Sequence, residues 1–186
     1  MELEKLLQKI AKIFDKLDIL YCVTGGYAVS VWGRPRATFH LDVLIKLKTE
    51  ELPVLARSLR ALSKAGYLDE ITAQQAIRCG GEFNYIHPES GMKIDFWVLG
   101  QDLITLNELK RRVPKKIGHQ TVYFISPEDL ILAKLRWHKK SGSDRQLDDV
   151  ASIIKMQKIK LDVPYLKSKA KKQTVVKYLN KLLKTK

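Results

Sequence analysis

Residues 25–45 read GGYAVSVWGRPRATFHLDVLI, and the fold turns on how this stretch is parsed. Just upstream, Ile19 to Thr24 is a short apolar run rich in β-forming residues that stops at Gly25-Gly26. A glycine pair there gives the backbone the freedom of a tight turn, and YAVSVWG after it reads as a helix, so the order is strand, turn, helix. From Phe39 to Leu47 the chain alternates. Leu41, Val43, Ile45 and Leu47 share one face of a strand, and His40, Asp42, Leu44 and Lys46 share the other. One face is apolar and the other carries an imidazole beside a carboxylate.

On the N-terminal side, Leu3, Leu6, Leu7, Ile10, Ile13, Phe14 and Leu17 recur at helical spacing and predict an amphipathic helix packed on a sheet. On the C-terminal side, Glu50-Glu51 open and Gly66 closes a predicted helix with leucines at 52, 55, 59 and 62. Residues 83–100, FNYIHPESGMKIDFWVLG, put Pro88, Glu89, Ser90 and Gly91 between two β-rich runs and predict a hairpin. On its second arm Lys93, Asp95, Trp97 and Leu99 lie opposite Met92, Ile94, Phe96 and Val98. A polar stretch with the basic cluster Arg111, Arg112, Lys115 and Lys116 follows, then a strand at TVYFI. SPEDLILAKLRWH starts a helix with Ser126 as cap, Pro127 in the first helical position and Asp129 three residues after the cap. Gly142 ends it, and Ser143 or Asp144 caps the next helix, which runs to about Met156. Strands alternating with helices predict an α/β chain, with a basic and helical remainder.

The chain has 186 residues, 45% apolar, enough for one core rather than two full domains. Its net charge of +14 points to polyanionic partners such as nucleic acid or nucleotide phosphates. Most of that charge lies from Lys155 to Lys186, where eleven lysines face a single acid, Asp162. Lysines in that density hold a phosphate backbone without reading its sequence. Cys22 and Cys79 form no C-x-x-C unit, which speaks against a zinc site or a disulfide framework and for a reducing, cytoplasmic compartment. No apolar run approaches the roughly 20 residues of a membrane span, and the charged start is unlike a secretory leader.

The segment 25–45, together with KIDFWV at 93–98 and SPEDLILAKL at 126–135, resembles the nucleotidyltransferase superfamily that includes DNA polymerase beta, especially its small toxin-like members. The resemblance covers roughly residues 20 to 155. It implies a mixed β-sheet flanked by helices (α+β) over residues 1–157, with a basic helical extension over 158–186. It further implies that Gly25 and Gly26 cradle phosphates, with Arg36 and Thr38 beside them, and that Asp42 and Asp95 are catalytic. His40, Asp42 and Asp95 would form the metal set. The expected cofactor is Mg2+ or Mn2+ and the substrate a nucleoside triphosphate. In KLRWHKKSGSDRQLDDV, at 134–150, Lys134 matches the family's phosphate-binding lysine, and Arg145 with Asp148 or Asp149 its closing motif.

Acids belong at such a site because two magnesium ions, about 3.5–4 Å apart, bridge enzyme, phosphates and attacking oxygen, and hard cations take oxygen ligands. His40 departs from the pattern, standing where the family carries a carboxylate that touches both ions. Imidazole suits magnesium poorly. Three functions stay open: transfer of a nucleoside monophosphate to a hydroxyl of RNA or protein; a degenerate member that binds nucleotide, RNA or a partner protein, as in a toxin–antitoxin pair; or a plain basic nucleic-acid-binding protein in which the lysine-rich end acts and the Gly25-Gly26 site is vestigial. The residues alone also allow His40 to be a polar strand tip, and Asp42 and Asp95 to be carboxylates paired with Arg34, Arg36 or Lys93.

Overall fold

The computed structural model describes residues 2–100 and 103–184. It divides into two compact units: residues 1–27 with 38–125, and residues 28–37 with 126–186.

Among the described residues all seven strands belong to the first unit: β1 (Leu20–Thr24), β2 (His40–Lys46), β3 (Tyr67–Leu68), β4 (Gly81–His87), β5 (Met92–Val98), β6 (Val113–Ile117) and β7 (Gln120–Phe124). They form one mixed sheet in the order β3-β4-β5-β2-β1-β7-β6. The centre is β2, antiparallel to β1 and parallel to β5. Its inward residues Leu41, Val43 and Ile45 are fully buried, as are Ile94 and Phe96 of β5. The predicted hairpin is present as β4 and β5, joined by a short turn over Pro88–Ser90 with Gly91 left-handed. Helix α1 (Glu2–Lys16) buries Leu3, Leu6, Leu7, Ile10 and Phe14 as its stripe predicts. The Phe14 ring meets Tyr21 of β1 at 4.5 Å and Phe96 of β5 at 6.2 Å.

Three elements here differ from the reading of the sequence. The helix with the leucine stripe, α3 (Leu52–Arg60), ends six residues before Gly66. Gly66 instead keeps the chain close to Tyr85, whose hydroxyl would lie 2.6 Å from a Cβ at that position. The polar stretch, to which the sequence assigns no element, holds Lys115 and Lys116 in the edge strand β6. Lysines blunt an edge against pairing with other chains, so charge hides the strand from a hydrophobicity pattern. Helix α4 (Glu70–Cys79), capped by the Asp69 carboxylate at the Ile71 and Thr72 amides, has only Ala73 and Ala76 buried and so shows no apolar stripe. Helix α5 (Leu103–Lys110) precedes β6.

Helix α2 (Gly25–Trp32) starts in the first unit and continues into the second. The second unit is otherwise helical: α6 (Pro127–Ser141), α7 (Asp144–Gln157), α8 (Val163–Lys172) and α9 (Val176–Lys184). Ser126 caps α6 by accepting from the Asp129 amide, and its hydroxyl donates to the Asp129 carboxylate. Gly142 is left-handed at the end of α6. Ser143 precedes α7, but its side chain makes no capping bond. The core gathers Leu130, Ile131, Leu135, Val150, Ile153, Leu166, Val175 and Leu179, with Ala28 and Val29 of α2. The loop after α2 is tied down by the Arg34 amide donating to Ser152 Oγ at 2.5 Å and Gln157 Nε2 donating to the Trp32 carbonyl at 2.7 Å.

Candidate functional site

His40, Asp42 and Asp95 come together on the outward face of the first unit's sheet. Asp42 and Asp95 are direct neighbours across the parallel β2–β5 pair, and His40 lies one row away, opposite Lys93. Side chains two apart on a strand point the same way, so alternation within each strand and register between strands suffice to assemble the cluster. One ligand atom from each of the three lies within 4.8 Å of those of the other two. The carboxylates are 14% exposed and His40 47%, a half-open site.

Each member has a partner. His40 Nε2 is 3.4 Å from Asp42 Oδ2, and Trp97 Nε1 donates to Asp42 Oδ1 at 3.4 Å. Lys93 Nζ is 2.9 Å from Asp95 Oδ1. The hydrogen bond to Asp95 holds the Lys93 ammonium above its ordinary range, against a smaller opposing effect of burial. Thr38 Oγ1 donates to the His40 carbonyl at 3.2 Å and steadies the entry to β2. Of the alternatives that the residues left open, a Lys93 pair with Asp95 is therefore real, and it coexists with the three-residue cluster.

The glycine turn has a specific reason to be glycine at its first position. Gly25 opens α2 with φ +60°, and a Cβ there would lie 1.8 Å from Asp42 Oδ2. The backbone at the start of the helix thus lies directly against the carboxylate. Gly26 is not among the left-handed glycines, so only Gly25 needs the freedom. Gly25→Ala is expected to cost roughly 1–2 kcal/mol for the left-handed residue alone, lowering the melting temperature by about 2–8 °C. It should also displace Asp42, and Mn2+ binding followed by calorimetry would register that displacement as weaker affinity. Unchanged metal affinity would mean that Asp42 is not a ligand.

A second cluster lies within the helical unit. Arg36 makes a two-pronged contact with Asp149, Nε to Oδ1 at 2.9 Å and Nη2 to Oδ2 at 3.0 Å. Lys134 Nζ is 3.0 Å from the same Oδ2. Asp149 and Lys134 are buried, with side chains 5% and 9% exposed. Burial pushes the Asp149 carboxyl up, but the Arg36 hydrogen bonds and the Lys134 charge together outweigh it and hold the group below the usual carboxylate range. Arg145 and Asp148 stand exposed on α7. The structure thus gathers His40, Asp42 and Asp95 into one cluster and Arg36, Lys134 and Asp149 into another, one in each unit, with Arg145 and Asp148 in neither. Trp97 and Lys93 are additions to the first cluster, and the strand alternation that placed Asp95 had already put them on its face.

The donor set fits a divalent cation chemically, with two carboxylates for a hard ion and one imidazole that favours a borderline ion. Among the described residues this is the one group of three metal-ligating side chains so placed. No described helix is long and apolar enough to cross a membrane.

A family profile described as "Nucleotidyl transferase of unknown function (DUF2204)" matches residues 82–182. That span takes in Asp95, Lys134 and Asp149, whereas Gly25, His40 and Asp42 precede it. No curated protein matches the chain. Among solved structures, it resembles ANT(2")-Ia in complex with adenylyl-2"-tobramycin at a TM-score of 0.61, 12% identity and 94% coverage of this chain and 99% of that one. A nucleotidyltransferase-like antigenic protein from Paracoccidioides brasiliensis gives 0.56, 19% identity and 100% and 93% coverage. The lincosamide antibiotic adenylyltransferase LnuA, lincomycin-bound, gives 0.54, 15% identity and 80% and 94% coverage. At these identities the neighbours establish the fold, and the profile, spanning more than half of the chain, establishes the family: this protein belongs to the nucleotidyl transferase family DUF2204.

Proposed function

We propose that this protein transfers a nucleoside monophosphate from a nucleoside triphosphate to a hydroxyl acceptor. The observation that carries the reading is the cross-strand pairing of Asp42 with Asp95, His40 beside them and the left-handed Gly25 against Asp42. When bound, a divalent cation, Mg2+ or Mn2+, supplies the positive charge that neutralises the triphosphate. Asp42 and Asp95 offer the oxygen ligands, and His40 a nitrogen. The start of α2 at Gly25 and Gly26 suits phosphate oxygens, because a helix N-terminus carries positive potential. Thr38 fixes the backbone that carries His40. The hydroxyl oxygen attacks the α-phosphorus, its proton passes to the Asp95 carboxylate, and pyrophosphate leaves; catalysis is chiefly positioning and charge compensation. Arg36 and Lys134, the other residues read as nucleotide-binding, are oriented by Asp149, with Arg145 and Asp148 on the same helix open to solvent.

His40 favours a second reading, in which the protein binds nucleotide without transferring it. Labelled nucleoside triphosphates, Mg2+ or Mn2+ and total RNA, incubated with wild type and His40→Asp, separate the two. Transfer by wild type is the expected result. Transfer by the variant alone would show a degenerate site, and transfer by neither would end the catalytic proposal.

RNA is the acceptor that the charge distribution favours. The second unit has eighteen Lys+Arg against six Asp+Glu, whereas the first has sixteen against fourteen. Lys167, Lys171 and Lys172 of α8 are exposed. Changing all three to Gln should flatten the plot of log affinity for RNA against log salt by about 0.7–0.9 for each phosphate that a lysine no longer neutralises. An unchanged slope would exclude this face from RNA binding.

A further inference from the structure

We propose that the Lys93 ammonium takes the place of one of the two divalent cations, so that this site holds a single divalent ion together with its nucleotide. The proposal rests on the reading of the His40–Asp42–Asp95 cluster as a triphosphate site, and it concerns how that site is charged.

Two divalent ions in contact with the same ligands bring four positive charges, and their mutual repulsion must be offset by anions. This cluster has two carboxylates, with an imidazole where the family resemblance implies a third. Both carboxylates are already matched within the chain: Lys93 Nζ lies 2.9 Å from Asp95 Oδ1, and Asp42 receives the Trp97 indole N–H with His40 Nε2 at 3.4 Å. The lysine is not there by chance of a long, wandering side chain. Positions 93 and 95 face the same way on one strand, and Lys93 is also the register neighbour of His40 on β2. Asp42 and Glu82 add their negative potential at the ammonium.

Asp42, Asp95 and Lys93 together present one net negative charge beside the His40 imidazole, where a three-carboxylate site would present three. A single divalent ion that enters with the triphosphate has Asp42 and the phosphate oxygens as anionic partners. A second ion would have to displace Lys93 from Asp95 and then be held against the remaining positive charge. The ammonium, fixed on Asp95, serves where a second cation otherwise would: it stabilises negative charge on an oxygen brought beside that carboxylate.

The test counts ions rather than turnover. Mn2+ is titrated into wild type, Lys93→Met, Lys93→Arg and the double variant His40→Asp/Lys93→Met, with each of the four α,β-methylene nucleoside triphosphates in turn, and free Mn2+ is read by electron paramagnetic resonance. Wild type and Lys93→Arg should bind one Mn2+ per chain with nucleotide, and the double variant two. Without nucleotide, Lys93→Met should bind Mn2+ about five-fold more tightly, the equivalent of removing one exposed competing ion pair. Lys93 is half exposed, and methionine keeps its apolar stem, so the fold should survive, as circular dichroism would verify. Two Mn2+ ions in the wild type would overturn this proposal and leave nucleotidyl transfer standing, as would a Lys93→Met affinity equal to that of the wild type. No nucleotide or Mn2+ bound by any of the four proteins would overturn both.

Discussion

Asp42→Asn is expected to slow nucleotidyl transfer by about 10²–10³-fold, the effect of removing one preorganised electrostatic group from an active site. Asparagine has nearly the same shape and can still accept from Trp97, so the strand, the Gly25 contact and the melting temperature should change little. What disappears is the charge, and with it one of the two carboxylates proposed to hold the metal. Initial rates of label transfer at saturating Mn2+, measured beside a thermal melt, separate loss of chemistry from loss of fold. Asp95→Asn should be as damaging to the rate, because in the proposed mechanism that carboxylate both sits in the cluster and receives the proton. A rate within a few fold of wild type for Asp42→Asn would remove the cluster from the mechanism altogether.

The largest effect on stability is expected elsewhere, at Asp149. Removing one partner of a buried ion pair costs about 3–5 kcal/mol, because the charge left behind stays buried without compensation. Here Asp149→Ala would strand two cations, the Arg36 guanidinium and the nearly buried Lys134 ammonium. Against a total stability of about 5–15 kcal/mol, the variant should unfold at a much lower denaturant concentration with an unchanged slope. The triple variant Arg36→Met/Lys134→Met/Asp149→Leu should recover most of that stability, since apolar side chains of similar volume often replace a buried ionic group without penalty. A single variant that melts like wild type would mean that the cluster is solvated and contributes little.

The same group gives stability a pH dependence of definite sign. Asp149 is held below the ordinary carboxylate range in the folded chain. Its stabilising contribution is therefore complete above the unfolded carboxyl value and lost as pH falls through the lower folded value. The stability gap between wild type and Asp149→Ala should be constant near neutrality and close on acidification. A gap that widened in acid would contradict the assigned direction.

Short-range periodicity carried most of the fold. The alternation at 39–47 and 92–99, the stripe over 3–17, the turn at 88–91 and the Ser126 start of α6 are all local rules of strand, helix and turn geometry, and each produced the expected element. Elements without an apolar pattern of their own were not legible: α4 has little but two alanines to bury, β6 is disguised by edge lysines, and β3 is two residues long.

The site divides along the same line. Local sequence was enough to put His40 beside Asp42, to set Lys93 and Trp97 on the face of Asp95, and to place a glycine turn ahead of them, since a strand's two-residue period fixes all of this within one segment. Long-range packing was needed to lay β2 parallel to β5 in the register that sets Asp42 opposite Asp95, to press Gly25 against the Asp42 carboxylate, and to give both Arg36 and Lys134 to Asp149 rather than Asp148. Those facts join residues separated by 53, 17 and 113 positions. Their pairing is chosen by covering the apolar faces and pairing the buried charges at once, a condition on the whole chain that no local pattern expresses.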